Sequence, residues 1–154
     1  RPPRSTLFPY TTLFRSLPQG LTFTLLLLAG VWSNDTLAYF TGIKWGKRRL
    51  APAISPQKSV EGALAGIGGT IFLAVLAAYL FPEWIRLTPG EAALLGLVIA
   101  VFAQLGDLVE SAMKRKFGVK DTGKLIPGHG GVLDRFDSLL FAAPLIYYYA
   151  QLFG

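Results

Sequence analysis

The sequence predicts an all-α protein, a polytopic membrane helical bundle with about four transmembrane helices. Two observations support this fold class. Hydrophobic residues make up 52% of the chain and the mean hydropathy is +0.46, as is typical of a membrane protein. In addition, four apolar segments approach or exceed the ~20 residues that a helix needs to cross a bilayer.

Each apolar segment predicts one helix. In chain order, the first three candidates are residues 17–39, 60–81 and 91–113. The fourth, 138–153, is short for a membrane span, but a start near Leu133 would supply enough length. The second helix is rich in small residues between Gly62 and Gly69, which favours close helix packing over a phosphate-binding loop.

Basic residues are distributed unequally among the predicted loops. Segments 40–59 and 114–137 together hold eleven Lys and Arg residues, whereas segment 82–90 holds only Arg86. Because strongly basic loops remain in the cytoplasm, both basic segments are expected there. The expected localisation is therefore a multi-pass protein of the cell membrane, in a bacterium the inner membrane, with any site built from these segments facing the cytoplasm.

The first sixteen residues differ in character from the rest. Residues 6–16, TLFPYTTLFRS, resemble a translated sequencing adapter; the alternative is a proline-bearing native tail. We expect residues 1–16 to be a non-native tail that stands in place of upstream membrane helices, and 17–154 to be the native C-terminal membrane part.

Net charge and cysteine content exclude some classes of function. The formal net charge is +6, but residues 1–16 contribute three Arg and no acid, so the remainder carries 12 basic against 9 acidic residues, or +3. This moderate excess does not indicate a nucleic-acid partner, and none is expected. Because the chain has no cysteine, disulfides and thiolate metal sites are excluded.

Residues 111–137, SAMKRKFGVKDTGKLIPGHGGVLDRFD, combine cations, carboxylates and a glycine turn. Such a combination suits the binding of a polyphosphate together with its metal ion. Asp107 lies shortly before this segment, inside an apolar run. A charged side chain costs roughly 2.5–3.5 kcal/mol at the bilayer centre, so we expect Asp107 to have a compensating partner such as a metal ion.

The segment resembles the signature of phosphatidate cytidylyltransferases, also called CDP-diacylglycerol synthases. The matching residues are Ser111, Lys114, Arg115, Lys120, Asp121, Gly123, Pro127, His129, Gly130, Gly131, Asp134, Arg135 and Asp137. The likeness includes residues 34–36 and 54–62 and so covers most of the chain from about Leu17. In the second segment Gln57 and Ser59 depart from the usual Ser-Pro-Lys-Lys-Thr, and Gln57 removes one cation.

The resemblance implies that CTP and phosphatidate are converted to CDP-diacylglycerol and pyrophosphate. The implied catalytic residues are Asp107, Asp134, Asp137, Lys120 and Asp121. The implied substrate-binding residues are Asn34, Asp35, Ser55, Lys58, Ser59, Glu61, Lys114, Arg115, Lys124, His129, Gly130, Gly131 and Arg135. Mg²⁺ would be held by Asp107, Asp134 and Asp137. A second, monovalent cation (K⁺) and a homodimer are implied by the resemblance only.

Several of these residues have a structural alternative. Asn34 and Asp35 could mark the end of the first helix, Ser59 with Glu61 could start the second, and Asp137 could be an N-cap. Asp107 could be a hydrated charge near a helix end, and Lys58 could be an interfacial lysine that reaches toward water.

Two other function classes remain open. One is another CTP-dependent membrane lipid enzyme, of the polyprenol kinase or CDP-archaeol synthase type, which its products would distinguish. The other is a transporter whose intramembrane acids bind ions, although the sequence shows no internal repeat of the kind that many transporters have.

Overall fold

A computed structural model of the chain describes residues 14, 17, 19–118 and 133–153, with the backbone alone at 133–135. The elements in this part of the chain are α1 (Gly20–Trp45), β1 (Arg49–Ala51), β2 (Ser55–Ser59), α2 (Val60–Leu80), α3 (Pro89–Lys116) and α4 (Leu133–Phe153). The two short strands form an antiparallel hairpin between α1 and α2. The predicted all-α bundle is confirmed, with this hairpin as an addition to it.

Consecutive helices pack against one another in an up-and-down order. The contacts between α1 and α2 run in opposite directions, since Gly46 lies against Ser59 whereas Gly30 lies against Thr70. Helix α1 also contacts α3 and α4. One end of the bundle therefore holds the C-terminal ends of α1 and α3 together with the N-terminal ends of α2 and α4.

Small residues allow the helix backbones to approach closely. A Cβ atom on Gly66 of α2 would lie 2.6 Å from Asn34 Oδ1 of α1, and one on Gly96 of α3 would lie 2.8 Å from the Cα atom of Ile71. The prediction that the small residues of the second helix serve packing is thus confirmed. The largest fully buried apolar side chains are Phe23, Leu95, Ile99 and Ile146.

Large apolar side chains cover the outside of the bundle. Trp32, Leu64 and Phe72 lie within helices and are 66%, 63% and 67% exposed. Apolar exposure on this scale is disfavoured in water and suits contact with lipid chains. Helices α1, α2 and α3 are each long and apolar enough to cross a membrane. The chain is a multi-pass membrane protein.

The first helix differs from its predicted bounds. It begins at Gly20 and continues to Trp45, so Asn34 and Asp35 lie well inside it and do not end it. Residues 36–45 contain no proline and remain mostly apolar, so nothing local stops the helix at residue 39. The structural alternative for these two residues, a helix-end feature, is therefore wrong.

The other helix bounds agree better with the sequence. Helix α2 starts at Val60 and α4 starts at Leu133, as expected. Helix α3 starts slightly early, at Pro89, because Thr88 and Glu91 form a capping box in which each side chain bonds the other residue's backbone N–H. Because α4 already begins at Leu133, Asp137 is not its N-cap.

Phe14 is the one residue of segment 1–16 that the structure describes. It is 3% exposed, and its ring meets that of Tyr147 of α4 edge-on, with centroids 6.2 Å apart. The other residues of this segment lie outside the described residues. The non-native origin of residues 1–16 stays a prediction.

Candidate active site

Asp107 lies near the C-terminal end of α3 and has two side-chain partners. Lys58, from the last part of β2, forms an ion pair with Asp107 Oδ2. The hydroxyl of Ser111, one helical turn further along α3, donates a 3.3 Å hydrogen bond to Asp107 Oδ1. The hairpin thus brings Lys58, from the family-like segment 54–62, against Asp107, the carboxylate that precedes segment 111–137. Asp107 thus has the compensating partner that its place in an apolar run led us to expect, and in this structure the partner is a lysine.

Three carboxylates come together beside this ion pair. Asp107, Glu110 and Asp137 each offer an oxygen atom, and these atoms lie within 4.8 Å of one another. Glu110 is 6% exposed, and its Oε2 atom lies 2.9 Å from the Nζ atom of Lys114. Carboxylates this close repel one another unless cations lie among them. Hard oxygen ligands in such a group fit a divalent ion such as Mg²⁺ or Ca²⁺.

The hairpin that carries Lys58 is fixed at both of its ends. Glu61, in the first turn of α2, accepts hydrogen bonds from the backbone N–H groups of Lys47 and Arg48, at 3.1 and 3.2 Å. Ser59 caps α2 by accepting a 3.1 Å bond from the backbone N–H of Gly62. The predicted alternative for Ser59, that it starts the second helix, is confirmed. Glu61 contributes by holding the hairpin against α2.

Arg115 fixes the turn of the hairpin. Its Nε donates a 3.2 Å hydrogen bond to the carbonyl oxygen of Ile54, which lies between β1 and β2. The guanidinium group therefore joins the C-terminal end of α3 to the hairpin. Arg115 is exposed, so its other donors face away from the core.

A polar network inside the bundle reaches the same region. Gln104 of α3 donates from Nε2 to Asn34 Oδ1 at 2.8 Å and to the carbonyl oxygen of Ala63 at 3.0 Å. Asn34 donates from Nδ2 to Asp35 Oδ1 at 3.2 Å. Asn34 is 1% exposed, whereas Asp35 is exposed. Both residues line an open cavity at this end of the bundle.

The ion pair and the polar network lie on one open cavity of about 680 Å³. Its polar lining includes Asn34, Asp35, Ser55, Lys58, Gln104 and Asp107. Its apolar lining includes Tyr39, Ile43 and Leu50. A volume of this size is typical of sites for cofactors and other small molecules. Its mixed walls suit a ligand that has both charged and apolar parts.

The structure brings together only part of the predicted site. Asn34, Asp35, Ser55, Lys58, Ser59 and Asp107 line the cavity, and Asp137 joins Asp107 in the carboxylate cluster. Glu61 and Arg115 hold the hairpin, and Lys114 pairs with Glu110. Lys120, Asp121, Lys124, His129, Gly130 and Gly131 lie outside the described residues, as do the side chains of Asp134 and Arg135.

Gln104 and Glu110 were not predicted as site residues. Both are polar or charged within the long helix α3, and they lie three residues before and three residues after Asp107. Residues three apart share one face of a helix. This spacing from Asp107 is the feature of the sequence that could have indicated Gln104 and Glu110 as site residues.

Comparison with known proteins identifies relatives of the chain. A family model described as "Cytidylyltransferase family" matches residues 5–153. A phosphatidate cytidylyltransferase of Synechocystis sp. is 51% identical over 140 residues, covering 89% of this chain and 46% of that protein. One of Bacillus subtilis is 48% identical over 151 residues, covering 96% and 54%. One of Staphylococcus epidermidis is 44% identical over 133 residues, covering 86% and 50%. The chain thus spans about half the length of these relatives.

Proposed function

The chain belongs to the cytidylyltransferase family, and from this premise we propose that it is part of a membrane enzyme that transfers the cytidylyl group of CTP to phosphatidate. The products would be CDP-diacylglycerol and pyrophosphate. The observation that carries the proposal is the meeting of Lys58 with Asp107 on the wall of an open cavity, beside two further carboxylates. A cation and clustered carboxylates at such a cavity fit a nucleotide polyphosphate and its metal ion.

The main task of the protein would be positioning and charge neutralisation. Phosphatidate carries an anionic phosphate, so its oxygen needs no strong general base to attack the α-phosphorus of CTP as pyrophosphate leaves. Negative charge spreads over the transferring group, and fixed cations stabilise it. Lys58 would hold one CTP phosphate from the hairpin. The other proposed phosphate-binding residues are Lys114, Arg115, Lys120, Lys124, His129, Gly130, Gly131 and Arg135.

Asp107, Glu110 and Asp137 fit a divalent ion by their chemistry and by their mutual distances. We assign Mg²⁺ to this cluster and take Asp134 and Asp121 of the signature as further acidic members of the site. A bound Mg²⁺ ion would neutralise phosphate charge at the reacting centre. A monovalent cation such as K⁺ is proposed from the family resemblance alone.

We propose that the site faces the cytoplasm. The end of the bundle that carries the cavity also carries the exposed basic residues Lys44, Lys47, Arg48 and Arg49, whereas the opposite end carries Arg86. Basic segments of this kind remain on the cytoplasmic side, which in a bacterium is that of the inner membrane. CTP would enter from that side while the acyl chains of phosphatidate stay in the bilayer. A homodimer is proposed as well, and light scattering of the detergent-solubilised protein tests it.

Product analysis tests the proposed reaction. Residues 17–154 would replace the matching part of the Bacillus subtilis relative, and that relative itself would be the positive control. The chimera should convert CTP and phosphatidate to CDP-diacylglycerol and pyrophosphate in a Mg²⁺-dependent manner. Release of CDP with a phosphorylated lipid would indicate a lipid kinase instead. A chimera that forms no product beside an active relative would reject the function.

Asp134→Asn is the variant that tests the mechanism. It keeps the size of the side chain and removes a charge that would balance Mg²⁺, so product formation should be abolished while membrane insertion remains normal. Because the loss would affect the transition state, excess CTP should not restore the rate. Near-normal turnover of Asp134→Asn would contradict the proposed mechanism.

A further inference from the structure

Three helices meet at one half-buried polar contact on the wall of the cavity. The side-chain amide of Gln104 on α3 bonds both Asn34 Oδ1 on α1 and the carbonyl oxygen of Ala63 on α2, at 2.8 and 3.0 Å. We call this set of three groups the amide node. Both hydrogens of the Gln104 amide nitrogen are used in it, one for each neighbouring helix.

The amide node is a built feature of the interior. Burying an amide costs free energy unless it is hydrogen-bonded, and Asn34 is 1% exposed. Gly66 of α2 provides the space, because a Cβ atom there would lie 2.6 Å from Asn34 Oδ1 and 3.2 Å from Gln104 Nε2. The amide node therefore links the relative height of the three helices, because its two hydrogen bonds join α3 to α1 and to α2.

We infer that Gln104 is a positioning residue, which holds Asp107 of α3 in register with Lys58 before α2 and with Asp35 of α1. The expected effect of Gln104 on the reaction rests on the proposed function. The expected effect of Gln104 on the positions of Asp107, Lys58 and Asp35 does not. Gln104 lies one helical turn before Asp107, and Asn34 directly precedes Asp35, to which it donates a 3.2 Å bond. A shift at the node would move the groups that face the cavity.

Thr70 makes a buried hydrogen bond between α2 and α1 that lies away from the cavity and can serve as a control. Thr70 of α2 is fully buried, and its hydroxyl lies 3.3 Å from the carbonyl oxygen of Gly30 on α1 and 2.9 Å from that of Gly66. It lies away from the cavity, whose lining includes Asn34 and Gln104 but not Thr70. Thr70→Val is therefore the control for Gln104→Met, since both remove side-chain hydrogen bonds between helices with little change in volume.

Cross-linking measures the register without any need for activity. The chain has no cysteine, so Lys58→Cys combined with Asp107→Cys gives a unique pair for a short bis-methanethiosulfonate reagent. In this background Gln104→Met should slow cross-linking by about fivefold or more, a coupling of the size found within one hydrogen-bond network. Thr70→Val should leave the rate unchanged. Equal rates in Gln104→Met and its parent, or equal slowing by Thr70→Val, would overturn the inference.

The second test of the inference measures the kinetics of the chimera, with Lys58 and Asp107 intact. Gln104→Met should lower kcat by about tenfold to a hundredfold, because a misplacement of about 1 Å can cost that much, with a smaller change in the KM for CTP. Thr70→Val should lower the melting temperature but not kcat. Unchanged kcat in Gln104→Met, when the parent chimera is active, would overturn the inference.

The two arms separate the failure of this inference from failure of the proposed function. If the parent chimera is inactive, the proposed function fails and the cross-linking result alone decides the role of Gln104. Gln104→Asn, which is too short to reach both acceptors, replaces Gln104→Met in both arms if the latter does not fold. If neither variant folds, Gln104 serves stability alone and the inference is overturned.

Discussion

Lys58 and Asp107 form an ion pair that joins the hairpin to α3, although they lie far apart in the sequence. Their side chains are 26% and 36% exposed, so the pair borders the cavity and is not buried beneath it. An ion pair in such a position contributes little to stability. Its placement is therefore better explained by the cavity, where a phosphate group could exchange partners with Lys58.

Lys58→Met should weaken CTP binding. The variant keeps the apolar stem and removes the charge, and a hydrogen bond to a charged group is worth about 1.5–3 kcal/mol, or roughly tenfold to a hundredfold in the KM for CTP. High CTP should restore most of kcat. Pyrophosphate release by the chimera, measured against CTP concentration, checks this. Unchanged CTP dependence would remove the hairpin from the nucleotide site.

Glu110→Gln should raise the Mg²⁺ concentration required for half-maximal activity. Glu110 is one of three carboxylates with oxygen atoms within 4.8 Å, and the substitution removes one charge while keeping the shape. Glu83→Gln is the control, since Glu83 is exposed in the loop between α2 and α3, away from the site. Titration of activity with Mg²⁺ checks both variants. An unchanged Mg²⁺ requirement in Glu110→Gln would exclude Glu110 as a metal ligand.

The helices were largely predictable because their signals are local. Long apolar segments require helices in a bilayer, and Leu133 was recognised as a start because residues 138–153 alone are too short to span. The predicted first helix stopped at residue 39 and so missed the extension of α1 to Trp45, with Asn34 and Asp35 well inside it. In the folded chain Gln104 donates a hydrogen bond to the side-chain oxygen of Asn34, so this polar residue is tolerated in the middle of α1.

The site was less predictable because it depends on contacts between distant segments. The motif residues of the hairpin were recognised by resemblance, but its strands are only three and five residues long and carry no clear alternating pattern. A substrate-binding role was predicted for Glu61, and that role stays a prediction. Its hydrogen bonds to the backbone of Lys47 and Arg48 were not predicted, because they form only where α2 packs beside the hairpin. The hydrogen-bond partners of Glu61 lie 13 and 14 residues away in the sequence, so only the folded structure identifies them.

Thr88→Ala should destabilise the bundle without changing its chemistry. The Thr88 hydroxyl accepts a 3.3 Å bond from the backbone N–H of Glu91 at the end of α3 away from the site, and loss of such a cap costs about 0.5–2 kcal/mol. Thermal unfolding in detergent should show the loss, while the KM for CTP and the Mg²⁺ requirement stay unchanged. A changed KM would mean that the two ends of α3 are coupled.

Gly66→Ala should both destabilise the protein and lower its activity, whereas Gly68→Ala should do neither. A Cβ atom at Gly66 would lie 2.6 Å from Asn34 Oδ1 and 2.9 Å from the Asn34 carbonyl oxygen, so α1 must move away from α2. Overpacking of this kind costs typically about 1–3 kcal/mol. At Gly68 the same atom would meet nothing within 4 Å, and alanine favours the helix. Melting temperature and kcat of both variants check this, and equal behaviour of the two would contradict the steric account of the Asn34 site.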